Sequence, residues 1–199
     1  LSFIPWSFSP MRIILIGPPG AGKGTQCQRL VNFLRVPHLS TGEMLRDAIA
    51  RNTAEGKEAS SFMKNGQLVP DQLVLGLVTR RLKDQDCRKG CLLDGFPRTI
   101  NQAEMLDDLL ERQAMSVDGV IELAVPQEEL VRRMLARKRE DDRPEVFAQR
   151  IESFRKQTAP LLEYYELKGK LERVNGMGSA DDIFDRVRQA IRAFRRAKR

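Results

Sequence analysis

The stretch Gly17-Pro-Pro-Gly-Ala-Gly-Lys-Gly-Thr25 follows directly after Arg12-Ile-Ile-Leu-Ile16. The apolar run is short and rich in β-branched residues, which is typical of a strand buried on both faces of a parallel sheet. The glycine-rich stretch has the spacing G-x-x-x-x-G-K and opens a helical pattern. A strand, a glycine-rich turn and a helix in this order predict a loop whose backbone N–H groups point at phosphate oxygens.

One side chain of this phosphate loop carries a full charge. Lys23 is expected to reach the terminal phosphates of a nucleotide. The residue after it is Gly24 rather than Ser or Thr, and the hydroxyl comes one position later at Thr25. We therefore expect phosphates and waters, rather than that hydroxyl, to hold Mg²⁺. The ATP-binding residues expected from the loop are Gly20, Ala21, Gly22, Lys23, Gly24 and Thr25.

Strand-like and helix-like segments alternate along the rest of the chain. The further strand-like runs are 37–39, 91–93, 119–125 and 171–174, and the helical patterns are 25–34, 41–52, 70–84, 101–112, 127–137, 144–167 and 180–196. This alternation predicts an α/β fold of the P-loop NTPase type, with a parallel sheet flanked by helices. Pro160 is expected to kink or break the long helix 144–167. Segments 53–69 and 136–144 fit poorly into a minimal layout and are predicted to be inserts over a site.

Composition restricts the class of protein further. The chain has 199 residues, of which 41% are hydrophobic and 31% charged, which fits one globular domain and excludes disorder. The net charge is +7, and residues 126–199 hold 19 Lys+Arg against 13 Asp+Glu, which predicts an anionic partner. Aromatic residues make up only 6%, so we expect nucleotide phosphate rather than nucleic acid.

Three further features concern location and the chain start. No apolar run reaches about 18 residues, so no membrane span is predicted. Three cysteines, an odd count, fit a reducing compartment such as the cytoplasm. Leu1–Pro10 contains no basic residue, so it is not interpreted as a secretory signal, and we expect no function for this extension. Residues 11–199 are expected to form one core.

Two segments suggest side chains that act at the end of the sheet. Asp94 follows the apolar run 91–93, which places a carboxylate where α/β sites form and predicts a water-mediated Mg²⁺ contact. Pro97 cannot continue a strand, so Gly95-Phe-Pro-Arg98 predicts a rigid turn that presents Arg98, whose planar fork matches phosphate oxygens. Gln102 lies one helical turn later and offers both a donor and an acceptor to a base edge.

Four segments in this order resemble the nucleoside monophosphate kinases, and the adenylate kinase family in particular. They are the phosphate loop 17–25, Ser40-Thr-Gly-Glu-Met-Leu-Arg46, Leu93-Asp-Gly-Phe-Pro-Arg-Thr99 with Gln102, and Arg139-Glu-Asp-Asp142 with Arg150. The resemblance implies phosphoryl transfer from ATP to AMP, giving two ADP, with Mg²⁺, in a cytoplasmic monomer. It also implies a small helical monophosphate-binding insert at 40–69 and a very short lid at 136–142. The lid holds no cysteine, so structural zinc is not expected.

The resemblance also implies a role for each site residue. Arg46 and Arg98 would grip the AMP phosphate, and Gln102 would contact its adenine. Arg137 and the backbone of Gly178 would contact the ATP base. The implied catalytic residues are Lys23, Arg98, Arg139 and Arg150. The implied AMP-binding residues are Thr41, Arg46, Gln67, Leu68, Val69, Gly95, Phe96, Pro97, Arg98, Gln102, Arg139 and Arg150.

Other interpretations remain open from the sequence. A UMP/CMP kinase is the alternative within the class, and Gln102 argues against it. A GTPase switch would need a guanine-reading N-K-x-D or T-K-x-D sequence, which is not found. A basic nucleic-acid-binding module would bind RNA or DNA with strong salt dependence. His38 is expected to pack near the sheet without a catalytic role, and the cysteines to be packing residues.

The short lid generates a prediction about Arg139. Few side chains of 136–142 can reach a transferring phosphoryl group, and an arginine that arrives on closure stabilises the transition state more than the bound substrates. Arg139→Ala should therefore lower kcat by about 100-fold or more while changing nucleotide binding less. Steady-state kinetics for both substrates measure this, and a raised KM with unchanged kcat would contradict it.

Overall fold

The computed structural model describes residues 11–137 and 143–198. The strands are β1 (Met11–Ile16), β2 (His38–Ser40), β3 (Gly90–Asp94), β4 (Gly119–Ala124) and β5 (Leu171–Asn175). Within the described residues they form one parallel sheet in the order β2-β3-β1-β4-β5, which confirms the predicted α/β fold. Outside the described residues lie the extension 1–10, residues 138–142 of the predicted lid, which include Arg139, and the side chain of Arg137.

Helices connect these strands and cover the sheet. They are α1 (Lys23–Leu34), α2 (Thr41–Ala50), α3 (Ala54–Lys64), α4 (Asp71–Leu82), α5 (Ile100–Glu111), α6 (Gln127–Arg137), α7 (Pro144–Ser153), α8 (Pro160–Leu167) and α9 (Ala180–Ala197). A 3₁₀ turn at Gln85–Lys89 precedes β3. In the described part of the chain, no helix is long and apolar enough to cross a membrane.

Strand β1 is central and every one of its residues is buried. Its side chains alternate between two apolar clusters because strand residues point to opposite faces of a sheet. Ile13 and Leu15 pack with α1 and α9, whereas Ile14 and Ile16 pack with α4, α5 and α8. The uninterrupted apolar pattern that predicted this strand therefore reflects burial on both faces.

The strand register brings three chain segments to one edge of the sheet. Asp94 lies opposite Leu15 of β1 and Ser40 of β2. The phosphate loop, the start of α2 and the turn after Asp94 therefore all leave the sheet at its carboxyl edge. Parallel α/β sheets bind ligands at this edge.

The predicted helix 144–167 is broken, as its proline requires. Pro160 lacks a backbone N–H and begins α8. The preceding segment, Phe154–Thr158, is a π turn, and the Ala159 N–H donates to the Phe154 carbonyl at 2.8 Å. The predicted insert 53–69 contains one helix, α3, which Thr53 caps by accepting a hydrogen bond from the Gly56 N–H at 3.1 Å.

Two glycines give a test of backbone constraint. Gly90 begins β3 with φ at 107°, and a Cβ there would lie 2.1 Å from the Met11 carbonyl oxygen. Gly90→Ala should lower the free energy of unfolding by more than about 2 kcal/mol. For Gly76, inside α4, no atom outside its chain neighbours and the backbone of its own helix lies within 4 Å of a Cβ position. Gly76→Ala is the control and should stabilise by about 0.5–1 kcal/mol. Urea denaturation measures both, and equal effects would contradict the role of Gly90.

Candidate functional site

The carboxyl edge of the sheet opens into a cleft of about 830 Å³. Most of the predicted site residues line it: Gly20, Gly22, Lys23, Gly24, Thr25, Thr41, Arg46, Gln67, Leu68, Val69, Asp94, Gly95, Pro97, Arg98, Gln102 and Arg150. Ala21 and Phe96 are buried beside it, at 0% and 1% exposure. Gly178 lies in the loop between β5 and α9 and does not line the cleft.

The phosphate loop lies at one end of the cleft. Gly22 is the N-cap of α1, and Gly22, Lys23, Gly24 and Thr25 line the cleft, so the end of the helix with the partial positive charge is directed toward it. The Lys23 ammonium donates to the carbonyl oxygens of Gly17 at 2.7 Å and Pro18 at 3.1 Å. These contacts hold the lysine across its own loop, where phosphate oxygens can replace the carbonyls.

A second anchor of the cleft is the pair of Asp94 and His38. The His38 Nε2 atom lies 3.4 Å from Asp94 Oδ2. Burial by itself would raise the pKa of Asp94. The hydrogen bond from His38 and the charges of Lys23 and Arg98 outweigh burial and hold this pKa below its usual value. Asp94 is therefore ionised at neutral pH. His38 lies in β2, as expected from the sequence, and it also lines the cleft beside this carboxylate.

Three arginines from different elements also line the cleft. Arg46 comes from α2, Arg98 from the turn after β3, and Arg150 from α7. Burial lowers the pKa of Arg98, Asp94 opposes this, and the nearby positive charges of Arg150 and Arg46 lower it further. Like charges gathered at one half-buried place favour an anion bound between them.

The conformation of the turn that carries Arg98 depends on Gly95, through both its carbonyl oxygen and its lack of a side chain. The Gly95 carbonyl accepts from Thr41 Oγ1 and from Arg98 Nε, each at 2.8 Å. Gly95 has φ at 78°, and a Cβ there would lie 2.8 Å from Thr41 Oγ1. These contacts hold the turn from which Arg98 lines the cleft.

Gln102 is held on both sides of its amide. Its Oε1 atom accepts from the Arg98 backbone N–H at 2.7 Å, and its Nε2 atom donates to Asp71 Oδ1 at 2.6 Å. The residue is 2% exposed and lines the cleft. Asp71 was not identified from the sequence, because it lies 31 residues from Gln102 along the chain.

Arg133 of α6 is another residue that the sequence analysis missed. Its guanidinium donates to the carbonyl oxygens of Gly176 at 2.8 Å and Ala21 at 3.3 Å, and to Glu129 at 2.7 Å. It thereby joins α6 to the phosphate loop and to the loop that contains Gly178. The available signal was its spacing of four residues from Arg137, which places both on one helix face.

A parallel sheet with a phosphate loop after its first strand, and a separate arginine cluster across the same cleft, defines a P-loop nucleotide phosphotransferase. The family model described as "Adenylate kinase" matches residues 15–170. The chain belongs to the adenylate kinase family and is a phosphotransferase acting between ATP and AMP.

Curated relatives named adenylate kinase support this assignment. A protein of Methylorubrum populi is 46% identical over 195 residues, covering 93% of this chain and 98% of the relative. One from Methylobacterium radiotolerans is 50% identical over 183 residues, covering 87% and 92%. One from Thermodesulfovibrio yellowstonii is 41% identical over 208 residues, covering 89% and 97%.

The arginine cluster generates a prediction about Arg98. At about 100 times its Kd, AMP should stabilise the chain by about 2.7 kcal/mol, which corresponds to a rise in Tm of about 5–11 °C. In Arg98→Met this rise should shrink by more than half. Without ligand, its unfolding free energy should change by less than about 1 kcal/mol, because relief of repulsion offsets the lost bond to Gly95.

The control for this thermal-shift measurement is Arg88→Met, which removes an exposed arginine of the 3₁₀ turn. It should keep the full AMP-induced rise. A large loss of stability without ligand in Arg98→Met, combined with an intact AMP effect, would show that Arg98 serves the fold instead.

Proposed function

We propose that the chain catalyses ATP + AMP ⇌ 2 ADP in this cleft, with ATP at the phosphate loop and AMP at the arginine cluster. The observation that carries the proposal is that Lys23 of the phosphate loop and the arginines Arg46, Arg98 and Arg150 line a single cleft of about 830 Å³. Phosphoryl transfer requires mainly that two phosphates be positioned in line and their charge be neutralised. A cleft lined by a phosphate loop and by a cluster of arginines meets that requirement.

The ATP side consists of backbone N–H groups and Lys23. The loop Gly20–Thr25 and the N-terminus of α1 would bind the β- and γ-phosphates. Lys23 would exchange its two carbonyl partners for phosphate oxygens, since charged oxygens are stronger acceptors than carbonyls. The adenine of ATP would lie toward Arg137 and the Gly178 backbone, and Arg133 ties that loop to α6.

The AMP side is built on the insert 40–69 and the turn after β3. Arg46 and Arg98 would hold the AMP phosphate in two forked contacts. Thr41, the backbone of 67–69 and the segment 95–97 would enclose the nucleoside, and Gln102 would read the base edge. Gly66 packs close to α7, since a Cβ there would lie 2.8 Å from the Val146 carbonyl oxygen. The insert therefore contacts the helix that carries Arg150.

Catalysis would depend on positive charge at the point of transfer. Lys23, Arg98 and Arg150 approach from three different elements, and Arg139 of the lid would complete the set. Fixed cations stabilise the charge that spreads over the equatorial oxygens of the transferring group. Arg150 and Arg46 already lower the pKa of Arg98 without ligand, after the larger effect of burial. A bound phosphate would relieve that repulsion.

The described residues also fit a hydrated Mg²⁺. Asp94 is ionised, lines the cleft and lies near Lys23, and it is the last residue of β3, the strand beside β1. A carboxylate beside phosphates is the donor type that Mg²⁺ prefers, and it would contact the metal through water. Bound Mg²⁺ would neutralise phosphate charge. Asp94 would orient the metal's waters, and His38 would hold the carboxylate in position.

Two remaining assignments belong to the same proposal. A reducing compartment, the cytoplasm, is supported by the buried free thiols of Cys27, Cys87 and Cys91. A monomer is proposed because one chain supplies both sides of the cleft.

A coupled assay of ADP production with AMP, CMP, UMP and GMP as acceptors tests the function. AMP should be the preferred acceptor, and Lys23→Ala should abolish turnover. Gln102→Ala should weaken AMP by about 5- to 150-fold and ATP much less, because one base-edge partner is lost. Equal losses for both nucleotides would refute the base-reading role. Preference for a pyrimidine monophosphate would overturn the AMP assignment.

A further inference from the structure

We propose that Asp71 is a positioning residue that sets the preference of the monophosphate site for adenine over a 6-oxopurine, by fixing the orientation of the Gln102 amide. The inference rests on the proposed function, in which Gln102 reads the AMP base. Asp71 is the first residue of α4, and its carboxylate contacts the N-terminal end of α5, which contains Gln102.

The Asp71 carboxylate accepts hydrogen bonds from three side chains of α5 and its cap. Gln102 Nε2 donates to Oδ1 at 2.6 Å, and Asn101 Nδ2 and Thr99 Oγ1 donate to Oδ2 at 2.7 and 3.2 Å. Thr99 is the N-cap of α5 and accepts from the Gln102 N–H at 3.1 Å. The carboxylate is therefore bound to the segment that presents the base-reading amide.

The chemistry of the two partners allows only one orientation of this amide. A carboxylate only accepts hydrogen bonds, so the amide must turn its NH₂ toward Asp71. The backbone N–H of Arg98 only donates, so the amide must turn its oxygen toward Arg98. A rotation of the amide by half a turn would place oxygen against carboxylate and N–H against N–H. Both contacts would then be repulsive.

One donor and one acceptor remain for a ligand. The amide NH₂ has two hydrogens and Asp71 takes one, while the amide oxygen has two lone pairs and Arg98 takes one. Adenine presents an acceptor at N1 and a donor at its 6-amino group, whereas a 6-oxopurine presents a donor at N1–H and an acceptor at O6. The two bases therefore require opposite orders of donor and acceptor. A fixed amide satisfies one of them, and Asp71 excludes the orientation that the 6-oxopurine requires.

This role differs from a purely structural one in what it predicts. Asp71 is also the acidic residue in the first turn of α4, whose N-cap, Pro70, offers no side-chain hydrogen bond. A carboxylate at this place stabilises the helix through its interaction with the helix dipole. Loss of that effect would lower stability without altering which base is accepted. The ratio of AMP to IMP turnover separates the two roles, because both nucleotides meet the same phosphate-binding arginines.

The test compares kcat/KM for AMP and IMP in the wild-type chain, Asp71→Asn and a control. The amide introduced by Asp71→Asn can donate as well as accept, so it removes one of the two contacts that exclude the rotated Gln102 amide and leaves only the Arg98 N–H against it. We expect the AMP:IMP ratio to fall about 10-fold, through a higher KM for AMP with little change in kcat. The control is Asp108→Asn, the same change at an exposed position of α5, and it should keep the wild-type ratio.

The outcomes separate this inference from the proposed function. If the wild-type chain does not phosphorylate AMP, the proposed function fails. If the wild-type chain prefers AMP and folded Asp71→Asn keeps the same AMP:IMP ratio, the role of Asp71 is wrong. Should Asp71→Asn not fold, hydrogen exchange of the Gln102 side-chain amide in the wild-type chain decides. One slowly exchanging proton supports the bond to Asp71, and fast exchange of both overturns it.

Discussion

Repulsion among positive charges is the constraint around which the cleft is built. Arg46, Arg98 and Arg150 approach one another from three elements, and Arg98 loses proton affinity through burial and through the charges of the other two. Such a cluster persists only where the surrounding fold holds it. The sheet register, the Gly95 carbonyl and the contact of Gly66 with α7 supply that support. The same repulsion makes a bound phosphate favourable, so the energetic cost of the cluster is also the basis of ligand binding.

The carboxylate of Asp94 balances part of this charge and links the two halves of the site. Burial by itself would raise its pKa, but the hydrogen bond from His38 and the charges of Lys23 and Arg98 lower it. Asp94 therefore interacts with charges of both the phosphate loop and the arginine cluster. The negative charge of Asp94 stabilises the positive charges of both Lys23 and Arg98. One carboxylate cannot neutralise both of them. This arrangement allows two anionic substrates to be held in one cleft.

The sequence alone predicted most of the fold, because the deciding signals are local. The apolar run 12–16 is buried on both faces, and the glycine-rich loop follows it as expected. Pro160 breaks a helix because it has no N–H, which is a property of the residue itself. Helix α3 is not predicted as a separate element, since its first eight residues, Ala-Glu-Gly-Lys-Glu-Ala-Ser-Ser, contain no large apolar side chain. Its fully buried residues are Gly56 and Ala59, and Phe62 and Met63 near its end are only partly buried.

The predicted site residues reach the cleft where a motif fixes them, and the missed ones depend on distant contacts. Asp71 meets Gln102 across 31 positions, and Arg133 meets Ala21 across 112. His38 meets Asp94 only because β2 pairs with β3. No spacing pattern in one sequence encodes such pairs, since they arise from strand order and helix packing. Cleft-lining residues are therefore easier to predict from the sequence than the residues that hold them in place.

The buried cysteines give this chain an internal reporter of local opening. Cys27 belongs to the apolar cluster on one face of the sheet, and Cys87 and Cys91 belong to the other, with exposures of 0%, 2% and 0%. Burial raises the pKa of all three thiols, to about 11 for Cys87 and about 12 for Cys91. An alkylating reagent can therefore react only when a face transiently unfolds. Labelling rates at Cys27 and Cys91 measure the opening free energy of each side of the sheet separately, in a chain that needs no engineered probe.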